Sequence, residues 1–301
     1  MSIFRDFFVK EKPVFTGITR GIGGFSFGGS SSGPGILEAT GGVKFTDGGT
    51  TYHAFLSSDS FETSSSWDPS ISVKYLVVGG GGPNGSTGDM TGGGGGGGVT
   101  TGNDGAFNGG TSYAVTLSDP VIGATNGGES SIVTTPGTIT SGGGAYAPRS
   151  TGGASGSPQN NAGGGAYPYT GSPANIVNGG GGGAGGVGDG GQAADGGDGG
   201  DGLACPEFPG PVIGPNLGIP GPEITAFTSA VGPTGLYGGG GGAGTFGTSY
   251  SAPGGAGGGA AGGSGQAGGV NYTGGGAGGY YPLDTTQRLG GKGIVVLKYT
   301  L

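Results

Sequence analysis

The chain is poor in the residue types that most active sites and disulfide frameworks use. Its 301 residues include one cysteine, Cys205, and one histidine, His53. A single cysteine excludes a disulfide within the chain, and a single histidine excludes a metal centre built on several histidines. A lone histidine inside a predicted strand is more often packed than catalytic, and the sequence places no serine or carboxylate pair to act with it. We therefore expect a protein that is not an enzyme and has no cofactor.

Basic residues are almost missing from the long middle of the chain. Between residues 75 and 287, Arg149 is the one base against eleven acids, and the whole chain has a net charge of −8. Contacts to phosphate need clusters of lysine or arginine, so we expect no nucleic-acid partner. No stretch reaches 18 apolar residues, so we expect no membrane insertion. The N-terminus, MSIFRDFFVKEKP, has Arg5 and Asp6 where a signal peptide has an apolar core, which predicts synthesis in a cytoplasm without a signal peptide.

Glycine dominates what is present, with 89 residues. Average usage is about 7%. The glycines form runs, the longest at 92–98, without the strict triplet of collagen. A glycine run can form an extended helix of three residues per turn whose N–H and C=O groups all point outward, and only glycine lets such helices pack closely enough to bond one another. We therefore predict an ordered bundle of polyglycine-II helices with loops at its ends; the alternative is a disordered glycine linker.

Strand patterns bracket the glycine-rich region. VKFTDGGTTYHAF predicts a hairpin around the turn at 47–49, and SVKYLVV (72–78) and GIVVLKYTL (293–301) are typical of buried strands that pair in one sheet. The predicted fold is mainly β: a β-sheet base that brackets a polyglycine-II sandwich with long loops, and almost no α-helix. The expected divisions are a docking segment and linker at 1–35, a β base at 36–78, a glycine-rich body at 79–292 and a closing strand at 293–301.

Two groups of aromatic and apolar residues are candidates for contacts with partners. A short apolar N-terminal segment cannot bury itself, so it either packs on its own domain or docks to a partner. Tyrosines beside proline or small residues at loop edges give rigid contact area to a recognition surface, or else cap the ends of the glycine helices. The docking candidates are Ile3, Phe4, Phe7, Phe8 and Phe15, and the receptor-binding candidates are Tyr146, Tyr167, Tyr169, Tyr250, Tyr280 and Tyr281.

A row of aspartates follows the threefold period of the predicted helices. In DGGQAADGGDGGDG, acids stand at 189, 195, 198 and 201, which places them along one edge of such a helix. Neighbours three residues apart lie about 9 Å from each other, too far for one ion to touch both directly. The favoured interpretation is a solvated edge that keeps the bundle soluble. Asp195, Asp198 and Asp201 are weak candidates for a metal site.

The strand motifs and glycine runs together resemble a glycine-rich domain of phage virion proteins. The stretches that carry this resemblance are TGGVKFTDGG, YHAFLSSDSFE, VKYLVVGGGG, GPTGLYGGGGGAG, NYTGGGAGG and GGKGIVVLKY, and it covers about residues 38–301. The domain occurs in tail-fibre and related virion proteins of marine T-even-like phages. The opening MSIFRDFFVKEKPVFTGITRGIGGF is similar to the N-termini of cyanophage virion proteins. The glycine-rich domain of the anaplastic lymphoma kinase ectodomain is a remoter likeness, and that receptor has a signal peptide and disulfides.

The resemblance implies a structural protein of the virion, as a fibre or adhesin component. In the distal adhesin of some T-even-like phages, loops between packed glycine-rich motifs touch the host receptor, which implies a host surface glycan or outer-membrane protein as the partner here. Residues 1–35 would then dock to other virion proteins or to copies of the same chain. The alternative is a self-assembling fibre or capsid-decoration subunit whose N-terminal segment inserts into a neighbouring copy. A secreted matrix protein would need a secretion signal, which we do not find.

Overall fold

The described part of the chain is mainly β, as predicted from the sequence. A computed structural model describes residues 38–84, 91–147, 151–165, 167–168, 176–192, 195–244, 251–263, 268–279 and 288–301. Two short α-helices and one turn of 3-10 helix are the helical elements within these ranges. The docking candidates Ile3, Phe4, Phe7, Phe8 and Phe15 lie outside the described residues.

Two five-stranded antiparallel sheets pack face to face and form the base. The first sheet has the order β1 (Ala39–Thr40), β4 (Asp59–Thr63), β7 (Ser112–Thr116), β8 (Ser130–Thr134) and β9 (Gly137–Ser141). The second has the order β2 (Val43–Asp47), β3 (Thr50–Phe55), β14 (Ile294–Thr300), β5 (Val73–Val78) and β6 (Val99–Gly105). Two short pairs are separate: β10 (Tyr167–Pro168) with β11 (Ile176–Val177), and β12 (Leu203–Ala204) with β13 (Leu236–Tyr237).

The predicted pairing of the two apolar strands is confirmed. β14 pairs with β5 antiparallel, with Val295 opposite Val77, and its other edge pairs with β3. Because side chains alternate along a strand, Val295 and Leu297 enter the core between the two sheets, whereas Ile294 and Val296 pack on the opposite face. The predicted hairpin is also present as β2 and β3, joined through Gly48 and Gly49. Both glycines have positive φ, as a tight two-residue turn requires.

An insertion between β12 and β13 covers the outer face of the second sheet. It contains α1 (Gly210–Ile213) and α2 (Gly221–Val231), and its buried Phe227 and Val231 are four residues apart on one side of α2. No helix was predicted at this place in the glycine-rich body. The helices form because proline near a helix start costs no hydrogen bond, and because Phe227 and Val231 share a face that the sheet can bury.

An ion pair joins this insertion to the sheet. The Glu207 carboxylate lies 2.7 Å from Lys74 Nζ and 2.6 Å from Lys298 Nζ. The Lys298 ammonium also donates to the Glu207 carbonyl oxygen at 2.7 Å. Hydrogen bonds from Lys298 and Lys74 lower the pKa of Glu207 to about 2. The carboxylate therefore stays charged at any pH above strongly acidic values.

The glycine-rich region forms a hydrogen-bonded body, which we call the glycine lattice. The donors of run 91–98 change partner with a period of three. Gly93 and Gly96 donate to run 178–185, Gly94 and Gly97 to run 274–279, and Gly95 and Gly98 to run 142–147, at 2.7–3.2 Å. Consecutive N–H groups thus donate to different runs, and every third N–H group donates to the same run. The predicted polyglycine-II helices require this pattern. The helix type itself stays a prediction.

Run 91–98 lies inside the lattice. Its carbonyl groups accept hydrogen bonds from three further runs, so that six runs surround it. Each added Cβ on 92–98 would fall within 3.0 Å of a backbone oxygen of a neighbouring run, so only glycine fits. Residues 178–184 and run 238–244 are also buried. The six neighbours of run 91–98 are 79–84, 142–147, 152–157, 178–185, 238–244 and 274–279.

The strands of both sheets continue directly into the lattice. β5 leads into run 79–84, run 91–98 leads into β6, β9 leads into run 142–147, and run 288–293 leads into β14. The lattice therefore has two ends. We call the end next to the sheets the sheet end and the opposite end the far end. β7, β8 and β9 lie within the predicted glycine-rich body and were not predicted from the sequence.

Candidate interaction surface at the far end of the lattice

The far end of the lattice is where its runs are joined by connections away from the sheets. Hydrogen bonds place run ends beside one another there: Asn84 N–H donates to Arg288 O at 3.4 Å, Gly244 N–H to Thr91 O at 2.9 Å, and Gly263 N–H to Gly279 O at 3.0 Å. The described residues on which far-end connections begin or end are Asn84, Thr91, Ala147, Thr151, Gly165, Asn178, Gln192, Asp195, Gly244, Ser251, Gly263, Gly268, Gly279 and Arg288.

The predicted receptor-binding tyrosines belong to these same connections. Tyr146 is half-buried just before Ala147, and its backbone N–H donates to Asn126 Oδ1 at 3.2 Å. Tyr167 lies in β10, which pairs with β11, so that Tyr167 stands opposite Val177 in the ladder. Tyr169, Tyr250, Tyr280 and Tyr281 lie outside the described residues. The described fold thus brings the attachment points of all six tyrosine-bearing positions to one end of the lattice, although the sequence scatters them over more than 130 residues.

Arg288 is a far-end residue that the sequence analysis passed over. It is only 5% exposed, and its Nη1 donates to Gly263 O at 2.9 Å and to Gly279 O at 3.2 Å. Its backbone N–H donates to Asn84 Oδ1 at 2.9 Å. Arg288 therefore ties together the ends of several runs. An arginine at the junction of a polar loop and a glycine run was the available signal, because glycine leaves carbonyl groups open to a side-chain donor.

The aspartate row lies along one side of the lattice. Asp189, Asp195, Asp198 and Asp201 line two adjoining open depressions of about 530 and 240 Å³. Burial raises the pKa of Asp198, and the neighbouring carboxylates of Asp189 and Asp195 raise it further. Asp201 Oδ1 accepts the Ala256 N–H at 2.9 Å. Among the described residues, no three His, Cys, Asp or Glu side chains are placed to share a metal ion.

His53 and Cys205 are packed inside the protein. His53 Nδ1 donates to Gly41 O at 2.8 Å, and its Nε2 is 3.2 Å from the Tyr299 hydroxyl group. Burial lowers the pKa of His53, which favours the neutral ring. Cys205 is a free, buried cysteine, and burial raises its pKa to about 12. Because the thiolate is the reactive form, this thiol is inert near neutral pH.

We expect the pH dependence of stability between pH 7 and 5 to come largely from His53. Its folded-state pKa lies below its unfolded value near 6.5, so its contribution is present above pH 6.5 and is lost as the pH falls through 6.5 towards the folded value. The free energy of unfolding should fall by up to about 1.4 kcal/mol per pH unit in this range. Urea denaturation of wild-type protein and of His53→Asn at several pH values would measure the slope.

In this experiment the variant should be less stable at pH 7 and should show a flatter slope. Glu207→Gln is the matched control, because the Glu207 carboxyl group, with a pKa of about 2 in the folded state and an ordinary value of 4.5, titrates mainly below this range. An unchanged slope in His53→Asn would contradict the assignment.

Comparisons with known proteins identified no relative of this chain. No protein-family model, curated protein or solved structure matches the chain. None of the helices in the described residues is long and apolar enough to cross a membrane. The proposals below therefore depend on the sequence and on the geometry of the sheets and the glycine lattice.

Proposed function

We propose that this chain is a non-enzymatic structural protein of a phage virion, a fibre or adhesin component that contacts the host cell surface through the far end of the glycine lattice. One observation carries the proposal: the tyrosine-bearing connections all attach at the end of the lattice that faces away from the sheets. The lattice runs would be polyglycine-II helices, in keeping with the period of three in their hydrogen bonds. The sequence resemblance to virion proteins agrees with this assignment.

The lattice suits the task of presenting loops. Interior runs have hydrogen-bonded neighbours on every side, so the far-end attachment points are held at fixed spacings by backbone bonds. Rigid anchoring lowers the entropy lost when loops bind, and tyrosine adds contact area with few rotatable bonds. The partner in this proposal is a host surface glycan or an outer-membrane protein, because tyrosine rings stack on sugars and also dominate protein contacts.

The sheet base contains the first described residues of the chain. The chain enters the described fold at Glu38, directly before β1 in the first sheet. The described fold therefore begins in the sheet base. In the proposal, residues 1–35 dock to another virion protein and Ile3, Phe4, Phe7, Phe8 and Phe15 supply the apolar contacts.

A cell-binding assay tests the proposal. Fluorescently labelled protein would be incubated with a panel of bacterial strains, cyanobacteria included, and bound protein measured by cytometry. On a strain that binds wild-type protein, Tyr280→Ala/Tyr281→Ala and Tyr250→Ala should each reduce binding at least tenfold. Tyr272→Ala, at the sheet end, is the matched control and should bind normally; because Tyr272 also packs against the core of the second sheet, circular dichroism must first show that this variant folds. Periodate treatment of the cells would abolish binding to a glycan, and protease treatment would abolish binding to an outer-membrane protein.

Two results would contradict this function. Equal binding by the wild type and the far-end variants would show that the far end is not the surface that contacts the cell. Absence of binding to every strain, together with long polymers of the wild-type protein, would favour the alternative, a self-assembling fibre or capsid-decoration subunit. Sedimentation of full-length protein beside a variant lacking residues 1–35 separates the two: polymers that dissolve on truncation indicate that the segment joins copies, whereas monomers in both indicate a foreign partner.

A further inference from the structure

One row of runs forms an open side of the glycine lattice. Run 186–191 bonds to run 195–202 through Asp189 N–H and Asp198 O at 2.9 Å. Run 195–202 bonds in turn to run 251–256 through Gly199 N–H and Pro253 O at 3.0 Å. The outward side of this row carries the two depressions that the aspartates line. We call this side the open face.

The backbone N–H groups of a run with three residues per turn point in three directions. On the open face, the N–H groups that point in one of these directions have no carbonyl partner among the described residues. In run 195–202, the N–H groups of residues 197 and 200 donate to run 178–185, and those of 199 and 202 donate to run 251–256. The N–H groups of Asp198 and Asp201, which follow the same period of three, donate to no carbonyl among the described residues. In run 186–191, the N–H groups of Val187 and Gly190 likewise donate to no carbonyl group among the described residues. The open face therefore presents backbone donors at the spacing that a further run would need.

The charge of the open face is entirely negative. Asp189, Asp195, Asp198 and Asp201 line its depressions, and no basic residue does. Asp195, Asp198 and Asp201 follow one another at intervals of three residues, about 9 Å along an extended threefold helix. A chain in the same conformation with a base at every third residue would match this spacing.

We propose that the open face binds an extended, glycine-rich segment of a partner protein, with arginine or lysine at every third residue, as one additional run of the lattice. This is the counterpart for a glycine lattice of the addition of a strand to a sheet edge. The occupant must have glycine where it faces the lattice, because even in the outer runs a Cβ on Gly188, Gly197 or Gly200 would fall within 3.0 Å of a neighbouring backbone oxygen. Pairing of the aspartates with the bases of the occupant would fix the register of the added run against run 195–202. This site lies along the side of the lattice and meets the far end at Gln192 and Asp195. It does not depend on the proposed function.

Binding of synthetic peptides to the full-length protein tests the proposal. The probe is fluorescein-labelled (Gly-Gly-Arg)5, measured by anisotropy in 0.15 M salt. The control peptide (Ala-Ala-Arg)5 has the same charges and spacing but cannot approach the backbone closely. We expect (Gly-Gly-Arg)5 to bind at least tenfold more tightly. Hydrogen exchange of the Asp198 and Asp201 amides should slow on addition of the glycine peptide.

Variants of the protein complete the test. Asp189→Asn/Asp198→Asn keeps side-chain size and should weaken binding at least tenfold, whereas Asp119→Asn, which lies elsewhere on the surface, should not. Equal affinity for both peptides would show simple attraction of cations to an acidic patch and would overturn the proposal, as would unchanged exchange at Asp198 and Asp201. Self-association of the wild type that the double variant abolishes would identify a second copy as the occupant and would overturn the assignment to a partner protein.

Discussion

Replacing Gly95 by alanine is expected to remove a large part of the stability of the fold. The new Cβ would fall far inside 3.0 Å of the Ala154 carbonyl oxygen, which is backbone and cannot rotate away. Gly95 N–H also donates to Ala145 O at 2.9 Å, and Gly95 O accepts from Gly82 N–H at 2.7 Å. Moving the run to relieve the clash stretches these bonds, so we expect a loss of about 3 kcal/mol or more.

The measurement is the midpoint of urea or thermal unfolding. A loss of this size lowers Tm by roughly 6–12 °C in a domain of this class. Gly165→Ala is the matched control, because Gly165 belongs to a peripheral run, has no positive φ and leaves open space around an added Cβ. We expect its Tm to stay within about 2 °C of the wild-type value. Similar values for the two variants would contradict the close packing of the lattice.

Removal of residues 294–301 is expected to abolish folding. This deletion removes β14, which lies between β3 and β5 in the middle of the second sheet, so both neighbours lose a complete ladder of hydrogen bonds. It also removes side chains from both cores, because Ile294 and Val296 face the helical cover while Val295 and Leu297 face the first sheet. Burial of each such side chain contributes about 1.5–3 kcal/mol, so the four together contribute about 6–12 kcal/mol, which is comparable to the whole stability of an ordinary domain.

Circular dichroism and a proteolysis time course would measure the effect of this truncation. The truncated chain should lack cooperative unfolding and should be digested at the rate of an unfolded chain. Deletion of Leu301 alone is the control, since that residue is 61% exposed and follows the end of β14. A truncated chain that unfolds cooperatively would show that the glycine lattice is stable without the closed sheet.

The parts of the fold that could be predicted from the sequence are those with a strong local pattern. β5 and β14 are rich in β-branched and apolar residues, as a strand buried on both faces along most of its length must be. The hairpin of β2 and β3 was visible because its turn needs glycine at positive φ. β7, β8 and β9 were missed because each has five residues with half of them polar, a pattern that also suits a loop.

The residues of the candidate surface also include some that could be predicted from the sequence and some that could not. The tyrosines and aspartates could be picked out from the sequence by residue type and spacing, and the period of three placed Asp195, Asp198 and Asp201 on one edge. The position of Arg288 inside the lattice could not be predicted, since its acceptors are the carbonyl groups of Gly263 and Gly279 in two other runs. The helical cover of the second sheet was missed for a similar reason, because its apolar residues become meaningful only beside the sheet they bury.

The sequence by itself determined that this protein is mainly β, that its two apolar strands pair, and that its glycines need partners for every outward backbone group. Those conclusions follow from local rules: side-chain alternation along strands, glycine at positive φ, and the cost of leaving backbone groups unpaired. Only the tertiary structure decided which run lies beside which, which ends meet away from the sheets, and which side of the lattice stays open. Glycine runs are nearly identical in sequence, so the order of their packing is set by the connections and sheets that hold their ends.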